Sequence, residues 1–198
     1  MSSWKEGLGL LEGHLPPNPP LFQVHGYLPV ALLRYDPEDA WELSRQLDLM
    51  ASRLEARGRR LVRVSLAEIL WESVDRSDPP DAFDKLCDVE RAEGFEAAQG
   101  DVGRALTPEG TRLPHFPARV AARLLALDPA RDIAFLLRVG ALAPGFFPVH
   151  KLVEMLPDSL TVPTVLCYPR LRDGQTGLRL LGAEAPEVAS SYRVNIYG

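Results

Sequence analysis

Cysteine is nearly absent. The 198 residues hold two, Cys87 in a charged stretch and Cys167 inside an apolar run, which leaves no disulfide framework and no thiolate set for zinc. Lysine is as scarce: Lys5, Lys85 and Lys151 are the only three among 22 Lys and Arg residues, and the net charge is −5. Negative charge spread along the whole chain suits sequence-independent nucleic-acid binding poorly, so no direct nucleic-acid contact is expected. No uncharged apolar run of about 18 residues occurs, and no membrane span is expected. The opening Met1-Ser-Ser-Trp-Lys-Glu6 has no apolar stretch behind a basic start, which predicts a cytoplasmic protein.

The motifs of common chemistries are missing too. There is no glycine-rich turn ending in Gly-Lys-Ser/Thr, no Gly-x-Ser-x-Gly elbow and no His-x-x-x-His pair. Gly7-Leu-Gly9 follows no strand and lacks the third glycine of a dinucleotide fingerprint. Cys167 and His150 offer a thiolate and a base, but an apolar run makes Cys167 a small hydrophobe first. His150 and Glu154 share a helical face, yet two ligands do not make a metal site. Arg57-Gly-Arg-Arg60 offers cations to a phosphate. It lies where a helix ends and a strand begins, so the solvated cap at the helix C-terminus is the favoured reading. Catalytic, cofactor and metal residues are therefore all expected to be none.

What the chain does have is apolar runs of strand length. Ile133-Ala-Phe-Leu-Leu-Arg-Val139, Val162-Pro-Thr-Val-Leu-Cys-Tyr168 and Pro29-Val-Ala-Leu-Leu-Arg-Tyr35 read as strands covered on both faces, closing on Gly140, Pro169 and Asp36. Leu61-Val-Arg-Val-Ser-Leu66 alternates and reads as an edge strand. Leu178-Arg-Leu-Leu181 and Tyr192-Arg-Val-Asn-Ile-Tyr197 are weaker apolar stretches.

Between these lie helical patterns. Asp36 is placed to cap a helix and Pro37 to occupy its first position, after which Leu43, Leu47, Met50 and Leu54 share one face until Gly58 ends it. Pro117 opens a second amphipathic helix with Val120, Leu124 and Leu127, and a short one spans Val149 to Leu156. From about 67 to 111 the chain is polar and helix-compatible, and reads as an insertion of two or three short helices. Residues 1–28 read as an N-terminal helix, Trp4 to Leu11, and a Pro16–Pro20 connector; residues 29–198 read as one α/β domain.

The expected architecture is α/β, a mostly parallel central sheet flanked by helices, either flavodoxin-like or degenerate ATPase-like without a phosphate loop. In a flavodoxin-like order strand one neighbours strand three, which would place Asp36 near Gly140 at the carboxyl edge, where such sheets bind ligands. At that edge Asp36 is the best polar residue, though capping already explains it.

Tyr35-Asp36-Pro37, Val139-Gly140, Val149-His150-Lys151-Leu152, Tyr168-Pro169, Asp173-Gly174, Leu178-Arg179-Leu180 and Tyr192-Arg193, taken in order, resemble the BrxB-like small subunit of bacterial BREX bacteriophage-exclusion systems. The resemblance runs from about Leu28 onward, is strongest after Ile133 and matches nothing between about 67 and 111. The family commonly follows the strand-end proline with glycine, whereas Pro169 here precedes Arg170.

The resemblance implies a non-catalytic accessory or adaptor subunit of an anti-phage defence complex. Its first expected partner is the alkaline-phosphatase-superfamily component, among others that include a DNA methyltransferase and a large ATPase; a homodimer is also implied. Tyr35, Asp36, Pro37, Gly140, His150, Pro169, Arg170, Arg172, Gly174 and Arg193 stand out as interaction or family-motif positions. Arg170 and Arg172 beside Gly174 suit interface recognition, simple solvation of that loop being an equal alternative. The competing function is a nucleotide- or small-ligand-binding regulator or enzyme on a degenerate α/β sheet, with its pocket near Asp36, Gly140 and His150.

Overall fold

Three apolar segments form the middle of one sheet in the computed structural model, which describes residues 3–15, 20, 28–75, 82–107, 115–142, 146–169 and 195–198. The strands are β1 Val30–Tyr35, β2 Arg60–Ser65, β3 Asp132–Leu137, β4 Thr164–Pro169 and β5 Asn195–Tyr197. All pair in parallel, in the order β2-β3-β4-β1-β5. The helices are α1 Ser3–His14, α2 Ala40–Glu55, α3 Leu66–Asp75, α4 Ala82–Glu93, α5 Phe95–Ala105, α6 Phe116–Leu125 and α7 Val149–Glu154. This is the expected α/β class.

Alternation along each strand splits the core into two layers. Val30 and Leu32, Ala134 and Leu136, and Leu166 and Tyr168 face a cluster filled by α3, α6 and α7. Their neighbours Ala31 and Leu33, Ile133 and Phe135, and Val165 and Cys167 face a second cluster filled by α1 and α2. Strands buried on both sides have no room for a polar residue in the alternation, which is why these segments read as unbroken apolar runs. On α2 the buried residues are Leu43, Leu47, Met50 and Leu54, the stripe predicted from spacing. Gly58 follows with φ +74, the left-handed value that a glycine tolerates at a helix end. The alternating β2 is an edge strand, as its half-polar pattern requires.

The core begins earlier than the proline connector implied. Trp4, Leu8, Leu11 and Leu15 recur at helical spacing and are buried beside α2, so α1 is a layer of the core. Among the described residues of the segment read as two or three short helices there are three, and the first, α3, buries Leu66, Ile69, Leu70 and Val74 against the sheet.

The flavodoxin-like order is not the one observed. β1 lies between β4 and β5, and β3 lies between β2 and β4. The chain leaves β1 for the far edge and then returns strand by strand. Because parallel crossovers are right-handed, the outward step carries α2 to one face and the return steps carry α3 and α6 to the other. β3 also ends sooner than predicted, at Leu137. Arg138 takes φ +60 and turns the chain into a 3-10 helix, Val139–Leu142, so Gly140 sits in that helix and does not close the strand. The Leu178–Leu181 stretch lies outside the described residues, as does most of the Pro16–Pro20 connector.

Candidate functional site at the carboxyl edge of the sheet

β1 and β4 run side by side to the same end, where Tyr35 pairs with Pro169. Tyr35 packs against the α1–α2 layer, and burial, with the neighbouring Cys167, pushes its phenol up to about 12. It is a protonated packing residue at physiological pH. Asp36 follows in extended conformation and accepts a hydrogen bond from the Glu38 amide at 3.2 Å, capping a 3-10 turn, Pro37–Asp39, that Pro37 opens. The predicted cap thus exists one turn ahead of α2.

Asp39, next in line, does not cap α2 with its side chain. Its Oδ2 accepts from Trp4 Nε1 at 2.7 Å, which fastens the start of α1 to the start of α2. In the first turn of α2, Glu42 accepts from Arg45 and Gln46 and meets Lys5 at 3.4 Å. The Arg45 guanidinium is the main reason its carboxyl stays well below the usual range. Between them stands Trp41, 85 % exposed, the most solvent-exposed of the large apolar side chains among the described residues. Sequence reading passed over Trp41; its off-stripe position against Leu43 and Leu47 was the available signal.

The strands that lead to Asp36 and Gly140, β1 and β3, are not adjacent. The whole of β4 lies between them, a separation of about 10 Å at ordinary strand spacing. His150 is on α7, whose Val149 and Leu152 pack on the face opposite to Cys167. The sheet therefore separates the thiol from the imidazole, and burial pushes the Cys167 thiol up to about 12. No nucleophile–base pair forms there. His150 and Glu154 share α7, and no group of three or more metal-ligating side chains occurs among the described residues. Arg170, Arg172, Gly174 and Arg193 lie outside the described residues.

The opposite, amino edge holds the Arg57-Gly58-Arg59-Arg60 cluster, and the solvated-cap reading covers only part of it. Arg59 is 6 % exposed. Arg60, at the start of β2, donates to both carboxylate oxygens of Asp132, its paired residue on β3, at 2.8 and 2.7 Å. Asp132 is itself buried and also accepts from the Asp128 amide at 3.0 Å. Two of these three arginines are thus tied into the fold at the start of β2 and β3.

No helix among the described residues is long and apolar enough to cross a membrane. No curated protein and no solved structure matches the chain. One protein family does, described as BREX protein BrxB, over residues 62–196. That span includes 67–111, where the motif reading found no resemblance, and begins beyond Tyr35-Asp36-Pro37. The match covers more than half of the 198 residues, and the chain belongs to the BREX protein BrxB family, a component of the BREX anti-phage defence system.

Proposed function

We propose that the protein is a non-catalytic assembly subunit of its defence complex, acting in the bacterial cytoplasm through protein–protein contacts. Its first partner is the alkaline-phosphatase-superfamily component of the same system. Trp41 carries this reading. A tryptophan at 85 % exposure, on a helix whose opposite stripe is locked into the core, presents a large contact surface on a backbone that is already fixed. It stands at the carboxyl edge, five residues beyond Asp36, and β4 ends at the same edge with Pro169.

The test is co-expression with the phosphatase-superfamily component, followed by affinity purification and titration. Trp41→Ala should weaken the complex about tenfold while leaving the melting temperature unchanged, because the side chain is already in water. Arg170→Glu with Arg172→Glu should abolish the pull-down. Recovery of no defence component with the wild-type chain would remove the adaptor reading, and undiminished binding by both variants would remove this surface. Light scattering on the same material reports whether a homodimer forms.

A second reading, a nucleotide- or small-ligand-responsive regulator, draws on the crossover reversal. The helix after β1 packs on one face and the elements after β3 on the other, and α/β sheets bind ligands at such reversals. A nucleotide at ~100 times its dissociation constant would add about 2.7 kcal/mol of stability, readily seen as a melting shift. No shift with millimolar nucleotides would leave the adaptor reading alone.

A further inference from the structure

The α4–α5 hairpin is the least buried part of the described structure. The two helices pack on each other and turn at Gly94, which takes φ +93. Between Phe83 and Ala105 only Ala98 is buried; Leu86 and Val102 reach the core in part. A helical hairpin with one buried residue leaves its other apolar side chains for something else to cover.

Those side chains are not scattered. Phe83 of α4 and Trp71 of α3 meet edge to face, with ring centroids 5.9 Å apart, although they are 52 % and 55 % exposed. Phe95 at the start of α5 is 53 % exposed. Aromatic pairs of this geometry normally form inside a core or an interface, where the area they remove from water adds to the ring contact. Here the pair is assembled and half its area remains open.

The surroundings state what would cover it. The hairpin carries six acids and three bases. Arg91 is spent on Asp88 at 3.1 Å and Arg104 on Asp101. Asp84, Glu90, Glu93 and Glu96 are exposed and have no cationic partner among the described residues. Glu90 lies two turns from Phe83 on the same helical face, about 10 Å along it, so one bound helical segment spans both the ring pair and this negative charge. An isologous contact with a second copy would set these acids against each other, and phosphate backbones or anionic lipid would be repelled likewise.

We propose that Trp71, Phe83 and the acidic α4–α5 hairpin form a docking surface for a Lys/Arg-rich amphipathic segment of another protein of the defence complex. Apolar residues of that segment cover the ring pair, and its cations meet Glu90 and Glu93. The inference rests on the adaptor reading and gives it a second surface. α3 lies on the opposite face of the sheet from α2 and Trp41, so one subunit can hold two partners at once.

The experiment uses the full chain and two labelled peptides, a Leu/Lys amphipathic helix and its Leu/Glu twin, read by fluorescence anisotropy. The Leu/Lys peptide should bind at least about tenfold more tightly than its twin. Glu90→Lys with Glu93→Lys should reverse that preference, and Phe83→Ala should weaken the Leu/Lys peptide about tenfold. Glu90 and Glu93 are exposed, so the circular dichroism melt of their double variant should superimpose on wild type, and Phe83→Ala, which loses the ring contact, should melt only a few degrees lower. Equal binding of the two peptides, or a preference that survives Glu90→Lys with Glu93→Lys, overturns the proposal. Co-purification separates the two readings. Defence components captured undiminished by Glu90→Lys with Glu93→Lys remove this surface and spare the adaptor role, whereas peptide selectivity without any captured component does the reverse.

Discussion

Replacing Asp132 by alanine should destabilise the protein by about 3 kcal/mol, a fall in melting temperature of about 6–12 °C for a chain of this size. The carboxylate is 1 % exposed and answers three groups: the Arg60 fork, the Asp128 amide and, through space, the buried Arg59. Removing it leaves the Arg59 guanidinium in a desolvated place without its strongest compensating charge. Burial already lowers the Arg59 pKa, with Asp132 and Asp128 acting in the opposite direction. Breaking such an arrangement from one side costs more than the pair contributes when intact, because a buried charge is left behind.

Acid should have the same effect as the substitution. The Arg60 hydrogen bonds, chiefly, hold the Asp132 carboxyl below its ordinary value, so the unfolded chain takes up the proton first as the pH falls. The contribution is therefore whole above about pH 4 and drains away as the pH drops through the lower folded value. Urea unfolding of wild type and Asp132→Asn between pH 3 and 6 tests this. The two stability curves should converge at the acid end; parallel curves would show that Asp132 does not carry the linkage.

The second large effect is expected at Gly7. A methyl group there would lie 2.4 Å from the Gly198 nitrogen and 2.8 Å from its Cα, both backbone atoms with no rotamer to relieve the overlap. Gly7→Ala must push α1 away from β5, straining the 2.8 Å contact between His14 Nδ1 and the Tyr197 hydroxyl, at a cost of about 1–3 kcal/mol. Gly9 supplies the control. Its substituent would meet nothing within 4 Å, so Gly9→Ala should stabilise the same helix by about 0.5–1 kcal/mol. Denaturant midpoints moving in opposite directions would bear this out, and a Gly7→Ala midpoint at or above that of Gly9→Ala would refute it.

Side-chain periodicity made the strands and the α2 stripe legible, because burial on one or two faces writes itself into spacing. Strand order is a different kind of information. The apolar runs at β1, β3 and β4 are interchangeable in pattern, and nothing in Val30–Tyr35 says that its neighbours are Thr164–Pro169 and Asn195–Tyr197. So Tyr35 and Pro169 were named separately and proved adjacent, while Asp36 and Gly140 were paired and the strands that lead to them proved to stand on either side of β4. Asp132 was missed for the same reason. Read along the chain it is a polar residue before an apolar run, and only its register opposite Arg60 gives the buried carboxylate a half-exposed guanidinium as partner. The stripe of Trp4, Leu8, Leu11 and Leu15 was readable and was outweighed by the prolines after it.

The position of β1 also bears on how the chain comes to be folded. Of the described strands β1 comes earliest in the chain, and the two that flank it, β4 and β5, come latest, with Val30 paired to Thr164 and Ala31 to Asn195. Closing contacts so distant in sequence is slow, since the entropy of the long intervening loop is lost before any pairing repays it. While synthesis continues, Val30–Leu33 has two open strand edges and two apolar faces, the profile of an aggregation-prone segment. α1 and α2, already synthesised or next to emerge, can cover one of those faces. The early helical layer is thus a shield for a nascent strand, and weakening its Trp4–Asp39 clasp should lower the yield of soluble protein more than it lowers the melting temperature of what does fold.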